Sequence, residues 1–322
     1  MLSGNLRYLK PLDSKVPLFF FLTNRSCSRL LVDCFALYLY FSVRARYDLN
    51  PDINTTLDWC AVMATYVFNI PFRDNSKLKH IIDEVKKDVK LQTLWRCSNV
   101  MAIDRLGYTD HGPTHVKIVA NSALKLLRIL VEKKVVPSIV ENYGMQNEDA
   151  EVVVVLGSIF HDLGMTVTRD GHELYSALLA LGFIEKYLQD IYSEKDRTII
   201  LSEVLHAIVC HEEPRKPLTL EAGIVRVADA LDMEKGRARI PFQAGKVDIH
   251  SVSALSIEKV SIQEGDEKLV TLNITMSNPA GIFQIDNLLK PRIENSGLGN
   301  YIHVVAEITG EEERKILKKY EF

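Results

Sequence analysis

The sequence predicts a mainly α-helical bundle followed by a small α+β module, and three observations support that fold class. Between residues 76 and about 240, apolar residues recur three and four apart, the spacing that lines one side of a helix. After Pro241 the period changes. Val270, Leu272, Ile274 and Met276 alternate strictly and Ile302, Val304, Ala306 and Ile308 repeat the pattern, as half-buried strands do. The composition is that of a globular chain, with 322 residues, 47% of them hydrophobic and 25% charged, enough for one large domain and a smaller one.

Charge and cysteine usage narrow the partners. A formal net charge of -3 gives no electrostatic footprint for nucleic acid or an anionic membrane. Cys27, Cys34, Cys60, Cys97 and Cys210 are scattered, odd in number and without CxxC spacing, which argues against a disulfide framework and for the cytoplasm. The apolar runs Leu18–Leu22 and Leu30–Val43 are interrupted by Asn24, Arg25, Arg29 and Asp33, and neither reaches the roughly 18–20 residues of a spanning helix. Residues 1–60 read as a poorly specified extension, with Met63 as an alternative natural start. A peripheral membrane anchor is the sharper reading of the same stretch.

The first regular signal starts at Ser76, a candidate N-cap, with Leu78, Ile81, Ile82 and Val85 at helical spacing and Leu94 and Trp95 continuing it. Lys77, Lys79, Lys86, Lys87 and Lys90 form its solvated side. Residues 107–113 are a loop by composition. Pro113 is placed as the first residue of a helix to about Val135, whose core side is Val116, Val119, Ala123, Leu126, Leu127 and Leu130. Pro137 and Gly144 mark a connection. Glu151 to Phe160, with four consecutive valines, fits a buried strand and a buried helix equally well. Helical patterns follow at His172–Tyr187, Lys195–Val209 and Thr219–Leu231.

In the last part, a run around Leu255–Ile262 is the candidate partner of Val270–Met276 across the turn Glu264-Gly265-Asp266. Ile282–Ile293 reads as helix and Glu311–Lys319 as a short terminal helix. The domain division that follows is 1–60, 61–245 and 246–322. Nothing in the last segment decides whether it binds a ligand, mediates dimerisation, covers a site or completes the core, so a homo-oligomer is left open.

Six of the nine histidines fall between His111 and His211: His111-Gly-Pro-Thr-His115, His161-Asp162, His172, His206 and His211. Asp229 follows in Arg226-Val-Ala-Asp-Ala-Leu-Asp232. Burying an unpaired carboxylate is costly, so an aspartate beside a histidine at the end of an apolar run points to coordination. Imidazole with carboxylate suits Mn, Fe, Co, Ni or Zn, and helices of a bundle can converge such ligands on its core.

This ordered set resembles the HD superfamily of metal-dependent phosphohydrolases over roughly residues 76–240. The HGPTH segment is similar to the HNxxH element of cyclic-nucleotide phosphodiesterases, and Arg226–Asp232 to the last metal-binding segment of many HD proteins. The resemblance selects helix for Glu151–Phe160. It implies that His115, His161, Asp162 and Asp229 hold one divalent ion, with Mg also admissible. His172 and His211 match second-metal positions of the binuclear branch, with Asp162 bridging. Two departures stand out: Cys210-His211 replaces an adjacent histidine pair, and the Gly-Tyr-Pro motif of the cyclic-dinucleotide branch is missing.

The activity implied is hydrolysis of a phosphoester of a nucleotide or other small phosphorylated molecule, by attack of a metal-bound hydroxide on phosphorus. In that scheme Asp162 and His111 are catalytic, with His111 protonating the leaving oxygen, while Lys117 and Arg169 bind the phosphate and Arg226, Arg237 and Arg239 are weaker candidates. Plainer roles stand beside these. His206 could pack against Cys210, Lys117 could be a solvated helix position, Asp232 could pair with Arg226 or Arg237, and Asp110 could cap the turn before Pro113 or orient a ligand. Two other function classes remain open: a regulatory or assembly module with a non-catalytic metal, and a di-iron oxygenase.

Overall fold

The computed structural model describes residues 68–236, 249–309 and 319–322. The expected extension over residues 1–60, its anchor and Met63 lie outside the described residues, as do Arg237, Arg239 and Pro241.

Helix α1, Ser76–Lys87, buries Leu78, Ile81, Ile82 and Val85. Its cap is Asn75 and not Ser76, because the Asn75 side chain accepts from the Leu78 amide at 2.9 Å. Asp88 ends α1 and caps α2, Val89–Asn99, by accepting from the Leu91 amide at 3.0 Å. The spacing that continued through Leu94 and Trp95 is therefore that of a second helix. A π-helical turn, Val100–Arg105, leads into the loop before α3, Pro113–Glu132.

Pro113 does open α3, and all six of the expected core residues are buried. The helix stops before Val135 because Lys134 takes a left-handed φ of 69°. The Pro137–Gly144 connection contains a short helix, α4, Ser138–Tyr143, ended by Gly144 at φ 68°.

Helix α5, Asn147–Phe160, is the hub. Val152 to Phe160 are all buried, and α3, α7 and α8 pack around it. A helix apolar on every side belongs at the centre of a bundle, which explains why its sequence also fitted a buried strand. Around it stand α6, His172–Leu188, α7, Glu194–Cys210, and α8, Leu220–Ala230.

The C-terminal part opens with α9, Ile249–Leu255, and a four-stranded sheet in the order β1-β2-β3-β4. Strands β1, Ile257–Glu264, and β2, Val270–Met276, are antiparallel, whereas β2 and β3, Ile302–Ile308, are parallel. A parallel pair needs a crossover, which the helical segment supplies. That segment is broken into Pro279–Gly281, Ile282–Gln284, Ile285–Leu289 and Lys290–Glu294 instead of forming one helix. Residues 311–318 of the expected terminal helix lie outside the described residues, and Lys319 belongs to a short edge strand, β4, Lys319–Glu321.

Among the described residues the bundle is built of helices alone, and the chain as a whole is not all-α because the sheet follows it. The alternating residues of β2 and β3 are buried and join the same apolar core as α3 and α5. Two close contacts place the crossover on the bundle. Lys290–Glu294 packs on α8, and a Cβ at Gly223 would collide with the Ser296 carbonyl. No helix among the described residues is long and apolar enough to cross a membrane.

Candidate metal centre

The six expected ligands all come from helix ends at one end of the bundle. His115 lies in the first turn of α3 and His172 opens α6. His161 and Asp162 directly follow α5, His211 follows α7, and Asp229 is in the last turn of α8. The turn after the pair, Leu163–Thr166, fits because Gly164 has no side chain: a Cβ would strike the His172 carbonyl and the Ser176 amide. The Gly164 amide instead donates to Ser176 Oγ at 2.7 Å.

Asp162 sits between two pairs of imidazoles. Its Oδ2 lies 3.2 Å from His115 Nε2 and 3.3 Å from His161 Nε2. Its Oδ1 lies 3.2 Å from His172 Nε2 and 3.6 Å from His211 Nε2. Asp229 Oδ1 joins the first pair, 3.3 Å from His115 Nε2 and 3.7 Å from His161 Nε2. The three groups with metal-holding spacing are His115/His161/Asp162, His161/His211/Asp229 and Asp162/His172/His211. All four imidazoles and Asp162 are buried.

The opposite ring nitrogens explain the orientation. His161 Nδ1 is 2.8 Å from the Ser158 carbonyl and His211 Nδ1 is 2.6 Å from that of Ile208. His115 Nδ1 is 2.6 Å from Asp232, and His172 Nδ1 is 3.0 Å from the Arg169 carbonyl. For His115, His161 and His211 the acceptor calls for a hydrogen on Nδ1, which leaves a lone pair on Nε2 of a neutral ring, whereas His172 Nδ1 faces both the Arg169 carbonyl and the Arg169 guanidinium. Nε2 atoms then face each other at 3.0 Å between His115 and His161 and at 3.1 Å between His172 and His211. Facing lone pairs beside a carboxylate repel unless a cation or proton lies among them, so the donor set fits divalent metal ions.

The electrostatics lead to the same conclusion. Burial alone would push His161 down, but Asp162 and Asp229 outweigh it and lift it to about 9. Burial likewise works against the charged forms of both aspartates. His161, His111 and His115 nevertheless hold Asp162 well below the carboxylate range, while His115, His161 and Arg292 hold Asp229 there. His172 is raised against its burial by Asp162, whereas burial wins at His211 and lowers it.

The other candidates have distinct surroundings. His111 is half-buried, its ring 5.8 Å from that of His115, with Nδ1 2.7 Å from the Thr109 carbonyl. Arg169 Nη1 lies 2.9 Å from His172 Nδ1, placing its guanidinium beside the centre. Lys117 is half-buried on α3 and, two residues from His115, points to a different side of that helix. Cys210 Sγ is 3.6 Å from His206 Nδ1 and 3.6 Å from the Lys216 carbonyl, and lies in none of the ligand groups. His206 Nε2 accepts from the Leu218 amide at 3.0 Å, a structural bond.

Asp110 caps its turn by accepting from the Gly112 amide at 2.8 Å. Arg226 is buried, and its donors go to the carbonyls of Cys210 and Glu212, both at 3.0 Å, and of Arg215. Asp232 pairs with His115 and not with Arg226. It lies just past the end of α8, where its amide donates to the Asp229 carbonyl at 3.2 Å. Arg292 had no local signal in the sequence. It donates to Asp229 Oδ2 at 3.1 Å from 63 residues away.

Residues 114–234 match the family model described as HD domain. The chain is also 49% identical over 233 residues to an uncharacterized protein of Methanocaldococcus jannaschii, an alignment spanning 72% of this chain and 90% of that protein.

Proposed function

The chain belongs to the HD-domain family, and on that premise we propose that it is a metal-dependent phosphohydrolase. Its substrate in this reading is a phosphoester of a nucleotide or another small phosphorylated molecule. The observation that carries the proposal is the division of Asp162, one carboxylate oxygen toward His115 and His161 and the other toward His172 and His211. In this reading His115, His161, Asp162 and Asp229 would hold one ion, and Asp162, His172 and His211 would hold a second. Mn, Fe, Co, Ni and Zn match the donors best, with Mg admissible.

When bound, divalent ions supply Lewis acidity toward a phosphoryl oxygen and lower the pKa of water. The chain's residues do the rest. Ser158, Ile208, Asp232 and the Arg169 carbonyl fix the four rings through Nδ1, so their Nε2 atoms need no reorganisation. His111, tied by Nδ1 to the Thr109 carbonyl, delivers a proton to the leaving oxygen. Arg169 is the phosphate contact that the geometry supports better than Lys117. Residues 61–245 form the metal-binding domain in this reading, and residues 246–322 a module that reaches it through Arg292. Cys97 and Cys210, both free thiols, accord with a cytoplasmic location.

The test is to measure bound metal in the purified protein and to assay a panel of phosphoesters beside Asp162→Ala. Metal binding without turnover of any phosphoester, or turnover unchanged in the variant, would defeat the proposal. High iron content with oxygen consumption would favour an oxygenase instead.

A further inference from the structure

Arg292 reaches the centre from beyond the residues that match the family model. Its guanidinium donates to Asp229 Oδ2 at 3.1 Å and to the His211 carbonyl, so it abuts the outer edge of the ligand cluster. Its other amino group donates to Glu212 Oε2 at 3.3 Å. The same carboxylate oxygen lies 3.9 Å from Arg169 Nη2. Glu212 thus lies between two arginines beside a buried cluster, with its side chain 26% exposed.

Two plainer explanations fit poorly. The Arg169–Glu212 pair is long and partly exposed and adds little to stability. The loop after α7 is already fastened, because buried Arg226 donates to the carbonyls of Cys210, Glu212 and Arg215. Arg215, the other nearby arginine, is taken up by Glu173 at 2.5 Å. Glu212 thus divides one carboxylate oxygen between two guanidinium groups, while Arg292 holds Asp229 as its second anionic partner.

We propose that Arg292 and Arg169 form a clamp for the anionic group of the substrate, and that Glu212 is the built-in carboxylate that fills the clamp until a phosphate displaces it. The assignment rests on the phosphoester reading, which it deepens. The fork of a guanidinium matches carboxylate and phosphate alike. A phosphate dianion brings more charge and more acceptor oxygens than Glu212, so it wins the exchange. Monoanions gain nothing by displacing a carboxylate, so Glu212 sets a threshold of charge. The module that supplies Arg292 thereby contributes directly to substrate recognition.

Calorimetric titration of the metal-loaded full chain with inorganic phosphate tests this. Glu212→Gln removes the competing charge and keeps the shape, and it should tighten phosphate about ten-fold. Arg292→Gln should weaken phosphate by about ten-fold. Where that variant sheds metal, Arg169→Gln takes its place. A Glu212→Gln affinity within about two-fold of the parent overturns the clamp. Tighter phosphate binding in Glu212→Gln with no hydrolysis of any phosphoester would sink the hydrolase reading and keep the clamp. Hydrolysis with phosphate affinity unmoved by Glu212→Gln would do the reverse.

Discussion

Asp232 holds His115 by the ring nitrogen that faces away from the cluster, with its Oδ2 2.6 Å from Nδ1. The aspartate is buried and accepts at Nδ1, so it fixes both the tautomer and the angle of the ring, and makes Nε2 a stronger base. Asp232→Asn keeps the volume and removes the carboxylate. Metal affinity should fall by about 10- to 100-fold while the fold stays intact. Competition with a chelator measures this, and an affinity equal to the parent's would show that Asp232 is only a packing partner.

The charge balance gives metal binding and metal-free stability opposite responses to pH. His161 is lifted in the folded state from its ordinary 6.5 to about 9. Its contribution to the metal-free fold is therefore complete below 6.5 and is lost as pH rises through about 9. A ligand must shed that proton, so metal affinity should instead rise over the same window, by up to about ten-fold per pH unit. Melting with excess chelator should show Tm falling from pH 6.5 to 9, and metal titration should show the dissociation constant falling too. Metal affinity independent of pH across this window would contradict the assignment of His161 as a ligand.

Gly164 links the first ligand pair to the third helix end. Its Cα passes so close to the start of α6 that a Cβ would meet the His172 carbonyl and the Ser176 amide. Those are backbone atoms and cannot swing aside. Gly164→Ala should push the start of α6 away, taking His172 from Asp162 while leaving His115 and His161 in place. Metal analysis should show about half the parent's content, with a lower Tm, in keeping with overpacking costs of about 1–3 kcal/mol. Full metal content in the variant would mean that His172 is not needed to hold an ion.

The bundle and the histidines and aspartates that gather at its end were legible in the sequence for a physical reason. Helix α3 shows one apolar side at the helical period, and β2 and β3 show the period of two, so local pattern and burial agree. Helix α5 was ambiguous because burial on every side erases the period. The caps at Asn75 and Asp88 were missed since any short polar side chain near a helix start could serve. Asp232 was weighed only as a partner for arginine, and it pairs with His115, a contact between segments 117 residues apart that no local pattern shows. Arg292 had no local signature at all. It reaches Asp229 only through the parallel crossover between β2 and β3, a tertiary fact that spacing does not encode.

Arg226 was a weak candidate for phosphate binding and turns out to be a clamp within the bundle. It is 1% exposed and donates to the carbonyls of Cys210, Glu212 and Arg215, with Asn295 at 3.5 Å. Those carbonyls lie at the end of α7 and in the loop after it, and the planar fork matches them in a way an ammonium cannot. Arg226→Lys should therefore cost about 2–4 kcal/mol, as buried acceptors and a buried charge lose their bonds. The loop it fastens begins with His211, so the harm should extend to the centre, with His211 losing its hold near Asp162 before His115 does. Denaturant unfolding measures the first effect and stepwise metal titration the second. A variant as stable as the parent, with both metal-binding steps unchanged, would show that the loop needs no such clamp.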